Sequence, residues 1–211
     1  MRTLIAVLLT VNLVIAAEPV DHLTLAADHL DRGETPQAIT HLTVHVRSHP
    51  DEVMTRAYLA ELHFRQKNLR ESQAEFEKVI AAAQGMKGKP YEHLIHCHTR
   101  LMSIAEEQGD TYREQLHRGI GLWRLVEKWN KDDAGSESTL TQALEALQQA
   151  KRARPNDGRV QLYLAEVTLK LKQPDAAKVH VAAAKAAAPG GLTASEETRL
   201  MNLGSDTDGK K

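Results

Sequence analysis

Apolar and polar positions alternate at helical spacing along most of the chain, and short clusters of breaking residues separate the helical stretches. Arg32-Gly33-Glu34-Thr35-Pro36 ends one stretch and places proline in the first turn of the next, and Gln173-Pro174-Asp175 repeats the device. Ser48-His49-Pro50-Asp51 closes the second stretch. Tyr91 to Gln108 and Thr111 to Trp129 read as two longer helices divided by Gly109-Asp110, and a polar loop from Asn130 to Ser138 precedes a helix from Leu140. After Pro189-Gly190-Gly191, Thr193 and Glu196 have capping-box spacing and predict a short final helix to about Leu203.

The stretches repeat with a period of 34 residues. Leu25-Ala26, Gly33, Ala38, Leu42 and Pro50 in residues 19–52 correspond to Leu59-Ala60, Lys67, Ser72, Phe76 and Gln84 in the next copy. Residues 158–191 supply Leu164-Ala165, Lys172, Ala177, Val181 and Pro189, and Ala143, Leu147, Ala150 and Pro155 form a half-copy ahead of them. At most of these places large side chains stay opposite large ones and small opposite small, as paired helices that approach closely require. Between these copies the count fails. Thr111 to Trp129 is a second helix when counted from the N-terminus and a first helix when counted back from Pro155, which predicts an irregular middle repeat in which something packs closely on Gly119 and Gly121.

This pattern resembles the tetratricopeptide repeat over residues 19–86 and 138–191. The resemblance implies an all-α fold, a right-handed solenoid of helical hairpins ended by a C-terminal capping helix. It departs from the family at His29, His63 and Thr168, where a large aromatic is usual, and only Gly33 keeps the turn glycine. His29 and His63 are expected half-buried as neutral rings. In the family the first helices line a concave groove. Carried over by repeat position, that face comprises Leu23, Ala27 and Leu30, then Ala57, Glu61, Phe64 and Arg65, then Arg159, Leu162, Glu166 and Lys170. The Lys and Asn with which some members grip a C-terminal carboxylate are absent, since Leu23 and Ala57 stand at the one place and Ala27 and Glu61 at the other. An extended or helical segment with apolar anchors fits this face better than a charged tail, with Phe64 as the expected aromatic.

Composition narrows the picture. Aromatics make up 4% of residues and Gly and Pro are few, which favours helices packed through small side chains. Lys and Arg number 27 against 28 Asp and Glu with no basic run, so nothing points to nucleic acid or an anionic membrane. Residues 1–17 form a different unit: Arg2, an apolar core from Leu4 to Ile15, and Ala16-Ala17 before the polar Glu18. They read as a cleavable export signal, since about 20 apolar residues would be needed for a span. The expected product is exported, periplasmic or secreted, with a repeat domain over 18–203 and a polar tail over 204–211. Cys97 is the single cysteine, so export brings no internal disulfide.

Candidate chemistry is thin. Eleven histidines include His41, His45 and His49 on one helical face and His93, His96 and His98 beside Cys97. No His-Glu-x-x-His or Cys-x-x-Cys pattern accompanies them and carboxylates at ligand spacing are lacking, so they read as structural or solvent-facing, with metal binding as a lesser alternative. Gly85-Met86-Lys87-Gly88-Lys89 follows a helix and is too short for a phosphate loop, and no Gly-x-Ser-x-Gly elbow is present. No cofactor and no small-molecule substrate is implied. The expectation is a non-enzymatic scaffold for a peptide or protein, the alternative a structural subunit of a cell-envelope complex. Trp123 and Trp129, on a helix with a broad apolar arc, are core residues or a second anchor surface.

Overall fold

The computed structural model describes residues 20–83, 86, 90–129, 134–187 and 191–208, so the expected export signal lies outside the described residues. Within them the chain forms ten helices and no strand. These are α1 (His22–Asp31), α2 (Thr35–Ser48), α3 (Val53–Arg65), α4 (Leu69–Ala83), α5 (Tyr91–Gln108), α6 (Thr111–Trp129), α7 (Ala134–Ala153), α8 (Gly158–Lys170), α9 (Pro174–Ala186) and α10 (Ala194–Asp208). Helices α1 and α2, α3 and α4, α5 and α6, and α8 and α9 pack as hairpins, and each hairpin packs on the next. The result is a helical repeat solenoid. None of its helices is long and apolar enough to cross a membrane.

The turn inside each hairpin explains the period. Gly33, Lys67 and Lys172, equivalent by the 34-residue count, all adopt left-handed backbone with φ of 75°, 59° and 60°. At each the chain closes in the same way: Glu34 N–H donates to His29 O at 2.8 Å, Asn68 to His63 at 2.9 Å and Gln173 to Thr168 at 2.9 Å. A lysine accepts this conformation at a cost of roughly 1 kcal/mol, so the loss of glycine did not remove the turn. Gly109, with φ 69°, ends α5 with the same bond, from Asp110 N–H to Ala105 O at 2.9 Å. The α5–α6 pair is therefore a hairpin of the same design, displaced from the period by longer helices and a longer approach.

Packing follows the motif. Ala38, Ser72, Ala143 and Ala177, the small residues of the second helices, are completely buried, and Leu42, Phe76, Leu147 and Val181 fill the space one turn later. The middle resolves by double use of one helix. Helix α6 packs on α5 along one side and as extensively on α7 along the other. It acts as the second helix for α5 and the first for α7. Gly119 is what permits this, because a Cβ there would lie 2.6 Å from Leu147 Cγ and 3.2 Å from Ala143 O. Gly121 meets only ordinary contact, with His98 Cβ at 3.5 Å. Helix α7 starts at Ala134, inside the expected loop, with Glu137 in its first turn beside the positive helix end.

The C-terminal cap forms as the spacing predicts. Thr193 N–H donates to Glu196 Oε2 at 2.8 Å and Glu196 N–H to Thr193 Oγ1 at 3.2 Å, opening α10, which packs on α8 and α9. Its end differs from the expectation: α10 continues to Asp208, so Gly204 to Asp208 extend the helix where a polar tail was expected, and 209–211 lie outside the described residues. Gly204 keeps a negative φ and thus supplies no left-handed stop at Leu203.

Candidate functional site

The residues carried over to the concave face separate into two groups. In the second and third copies most are spent inside the molecule. Glu61 and Glu166, equivalent by repeat position, are both buried, and each is gripped by an arginine from the next first helix. Arg100 of α5 donates through Nε and Nη2 to the Glu61 oxygens at 2.9 Å each, and Arg199 of α10 forks onto Glu166 in the same way. Burial acts to raise the Glu61 carboxyl and the Arg100 guanidinium overrides it, holding it below the usual range. Deeper burial wins at Glu166, whose carboxyl lies above its usual range. Arg159 reaches Glu196 of α10 at 3.0 Å, Leu162 is fully buried with Leu200 of α10 packed in its cluster, and Arg65 pairs with Glu61 at 3.3 Å. Lys170 lies half-buried at the end of α8.

Phe64, the expected aromatic anchor, packs against the core of the second hairpin. The Arg100 guanidinium stacks over its ring at 4.7 Å and the Lys67 ammonium stands 5.7 Å away. The free face of this ring is small. Ala57 is half-buried in the same cluster.

The first copy behaves differently. Leu23, Ala27 and Leu30 of α1 face Met54, Thr55 and Tyr58 of α3 across an open apolar groove of about 310 Å³ floored by Ala26 and Leu42. Leu23 is 43% exposed, Met54 57% and Tyr58 45%, a concentration of large apolar side chains that a packed core would have covered. Met54 and Tyr58 were missed in the sequence because the carry-over took only the central row of α3. Met54 and Tyr58, four apart on α3, form the row next to Ala57 and Glu61, and that spacing was legible. Elsewhere Trp129 is 41% exposed at the end of α6, whereas Trp123 is buried in the core between α6, α7 and α8.

The histidines occupy three settings. His98 and His117 meet at 3.1 Å between their Nδ1 atoms where α5 packs on α6. Burial, then His117 and the guanidinium groups of Arg124, Arg159 and Arg199, hold the His98 ring well below its usual pKa. Burial first, with Arg159 and Arg113, brings His117 to about 4. His63 is likewise lowered by burial, as expected for its repeat place, and His29, half-buried at the equivalent place, has its Nδ1 2.6 Å from Glu34 Oε2. The third setting, His45 and His49, closes α2 beside Glu52. The expectation that no carboxylate stands at ligand distance from the histidines fails there, because the Pro50-Asp51 turn folds Glu52 back over the last turn of α2.

No protein-family model matches the chain, and no curated protein matches it. Solved structures with similar folds include the crystal structure of MamA protein, at 12% identity over 77% of this chain and 87% of that one, with a TM-score of 0.40. YrrB, described as a TPR protein with an unusual peptide-binding site, shares 11% identity over 87% and 90% of the two chains, with a TM-score of 0.37. PilF of Pseudomonas aeruginosa shares 18% over 89% and 84%, with a TM-score of 0.36. These likenesses concern helical architecture alone, and the reading of this chain rests on its own repeats.

Proposed function

We propose that the protein is a non-enzymatic interaction scaffold that holds an amphipathic helical segment of another protein in the groove between α1 and α3. One observation carries this reading. Leu23 and Leu162 are equivalent repeat positions, yet Leu162 is 0% exposed beneath α10 while Leu23 stays 43% exposed although α3 stands in the corresponding place. The chain itself thus supplies an example of what such a face accepts: a helix presenting Leu200 and Leu203 to an apolar floor, with Glu196 and Arg199 paired at its sides. Helix-in-groove recognition of this kind reads apolar anchors spaced three or four apart.

Asp31, one turn beyond Ala27 in the same row, is exposed and favours a partner segment with basic residues beside its apolar anchors. The test is a photoreactive amino acid placed at Tyr58 to trap the partner, followed by affinity measurement on the identified segment. Leu23→Ser combined with Tyr58→Ser should weaken binding by about tenfold or more, as loss of central apolar anchors does. Trp129→Ser should leave it unchanged. Binding lost in the Trp129 variant and retained in the groove variant would move the site to the end of α6.

A further inference from the structure

The geometry points to a binding site for a divalent transition-metal ion of the zinc class, formed by His45, His49 and Glu52 at the junction of the first and second hairpins. His45 and His49 stand one turn apart on α2, with ring centroids 4.3 Å apart and planes within 15° of parallel. Glu52, returned by the Pro50-Asp51 turn, brings Oε2 to 2.8 Å from His45 Nε2. Each of the three offers a ligand atom within 4.8 Å of the others.

Two imidazoles and a carboxylate are a donor set that zinc takes readily, leaving at least one coordination position for water. Magnesium and calcium prefer all-oxygen surroundings and should be excluded. Zinc ligands stand about 2.0 to 2.2 Å from the metal, so the ligand atoms must draw together by an ångström or so. That movement falls on His49 and Glu52, both exposed, while His45 is buried and fixed.

Three features beyond proximity support the assignment. His45 occupies the repeat place held by Val79, Ala150 and Ala184 in the other second helices, so packing did not call for a polar ring there. His49 Nδ1 lies 3.2 Å from the main-chain oxygen of His45, and an N–H donated to it leaves the Nε2 lone pair for a metal. Thr55 Oγ1 donates to Glu52 Oε2 at 2.9 Å and orients the carboxylate. Thr55 also lines the α1–α3 groove, so an ion here would fasten the end of α2 to the start of α3 directly beside that groove.

The competing explanation is that the His45–Glu52 hydrogen bond satisfies a buried ring and does nothing more. Titration of Zn2+ and, separately, Mg2+ into the tag-free full chain by calorimetry distinguishes them. One equivalent of Zn2+ should bind with micromolar or tighter affinity and raise the melting temperature, with no uptake of Mg2+. His49→Ala and Glu52→Gln, both at exposed positions, should each weaken Zn2+ binding by about tenfold or more with unchanged helical content, and His93→Ala on α5 should not. Absence of saturable Zn2+ uptake would overturn the assignment, as would uptake that survives both His49→Ala and Glu52→Gln.

Discussion

Acidification should loosen the middle of the solenoid through the His98–His117 pair. Both rings are held neutral in the folded protein, His117 with its pKa brought to about 4 and His98 well below its usual value. In the unfolded chain each ring titrates near 6.5. The sign follows from the protons bound: between those limits the unfolded state takes up protons that the folded state refuses, so stability falls as pH drops below about 6.5 and levels off only below the folded pKa. At pH 5 the unfolded ring is almost fully protonated and the folded His117 almost fully neutral, which amounts to a loss of about 2 kcal/mol from this residue alone. His98 adds to it in the same direction. Urea denaturation at pH 7.5, 6.5, 5.5 and 5.0 measures the loss, and Glu61 and Glu75, whose carboxyls are held low in the folded state, add to it only as the pH nears the unfolded carboxyl value of about 4.3. His63 and His180, also lowered by burial, contribute their own share to the total, so the comparison that isolates the pair is with His117→Gln. The variant should lose about 2 kcal/mol less than the parent between pH 7.5 and 5. Identical pH profiles for the two proteins would refute the burial argument.

Two further outcomes are expected. Gly119→Ala should destabilise by about 1 to 3 kcal/mol in urea denaturation, although alanine is the better helix former by about 1 kcal/mol, because its Cβ would meet Leu147 and Ala143 where α6 and α7 touch. N-terminal sequencing of the protein recovered from its producing cell should give a start near Glu18, and an intact Met1 on a membrane-embedded product would overturn the cleavable signal and make the segment an anchor.

The hairpins and the cap were legible because local chemistry dictates them. Pro36, Pro174, the Thr193–Glu196 box and the small residues Ala38, Ser72 and Ala177 act within one or two turns of their own position. The double use of α6 was legible only as a conflict between two counts, since its resolution depends on α7 approaching Gly119 with residues 24 to 28 positions along the chain, which no count of period shows. The groove was half legible. Repeat position put Leu23 and Leu30 on the right face, but the fates of Glu61, Phe64 and Glu166 were decided by Arg100 and Arg199, which stand 33 to 39 residues away. A long arginine reaches across a helix interface, and no periodicity records where it lands.

The C-terminal end of the array and its first groove differ in how completely their apolar side chains are covered. Every repeat hairpin leaves an apolar face for its neighbour, and a terminal hairpin has no neighbour, so a solenoid must close its ends or leave them to something else. At the C-terminal end α10 closes it with Leu200 and Leu203 over Leu162, Ala165 and Val181, and with Arg159 and Glu166 neutralised by Glu196 and Arg199. Between the first two hairpins the cover is less complete: Leu23 of α1 and Met54 and Tyr58 of α3 stay more than 40% exposed along their shared groove, as does Val20 ahead of α1. Fully covering an apolar leucine is worth about 1.5 to 3 kcal/mol, so completing the burial of four half-exposed side chains gains an added helix a few kcal/mol before its ordering cost. On the proposed reading, a partner helix completes in that groove the cover that α3 leaves partial. Binding specificity on that reading belongs to α1 and α3, while the ion pairs Glu61–Arg100, Glu166–Arg199 and Arg159–Glu196 tie the later first helices to one another.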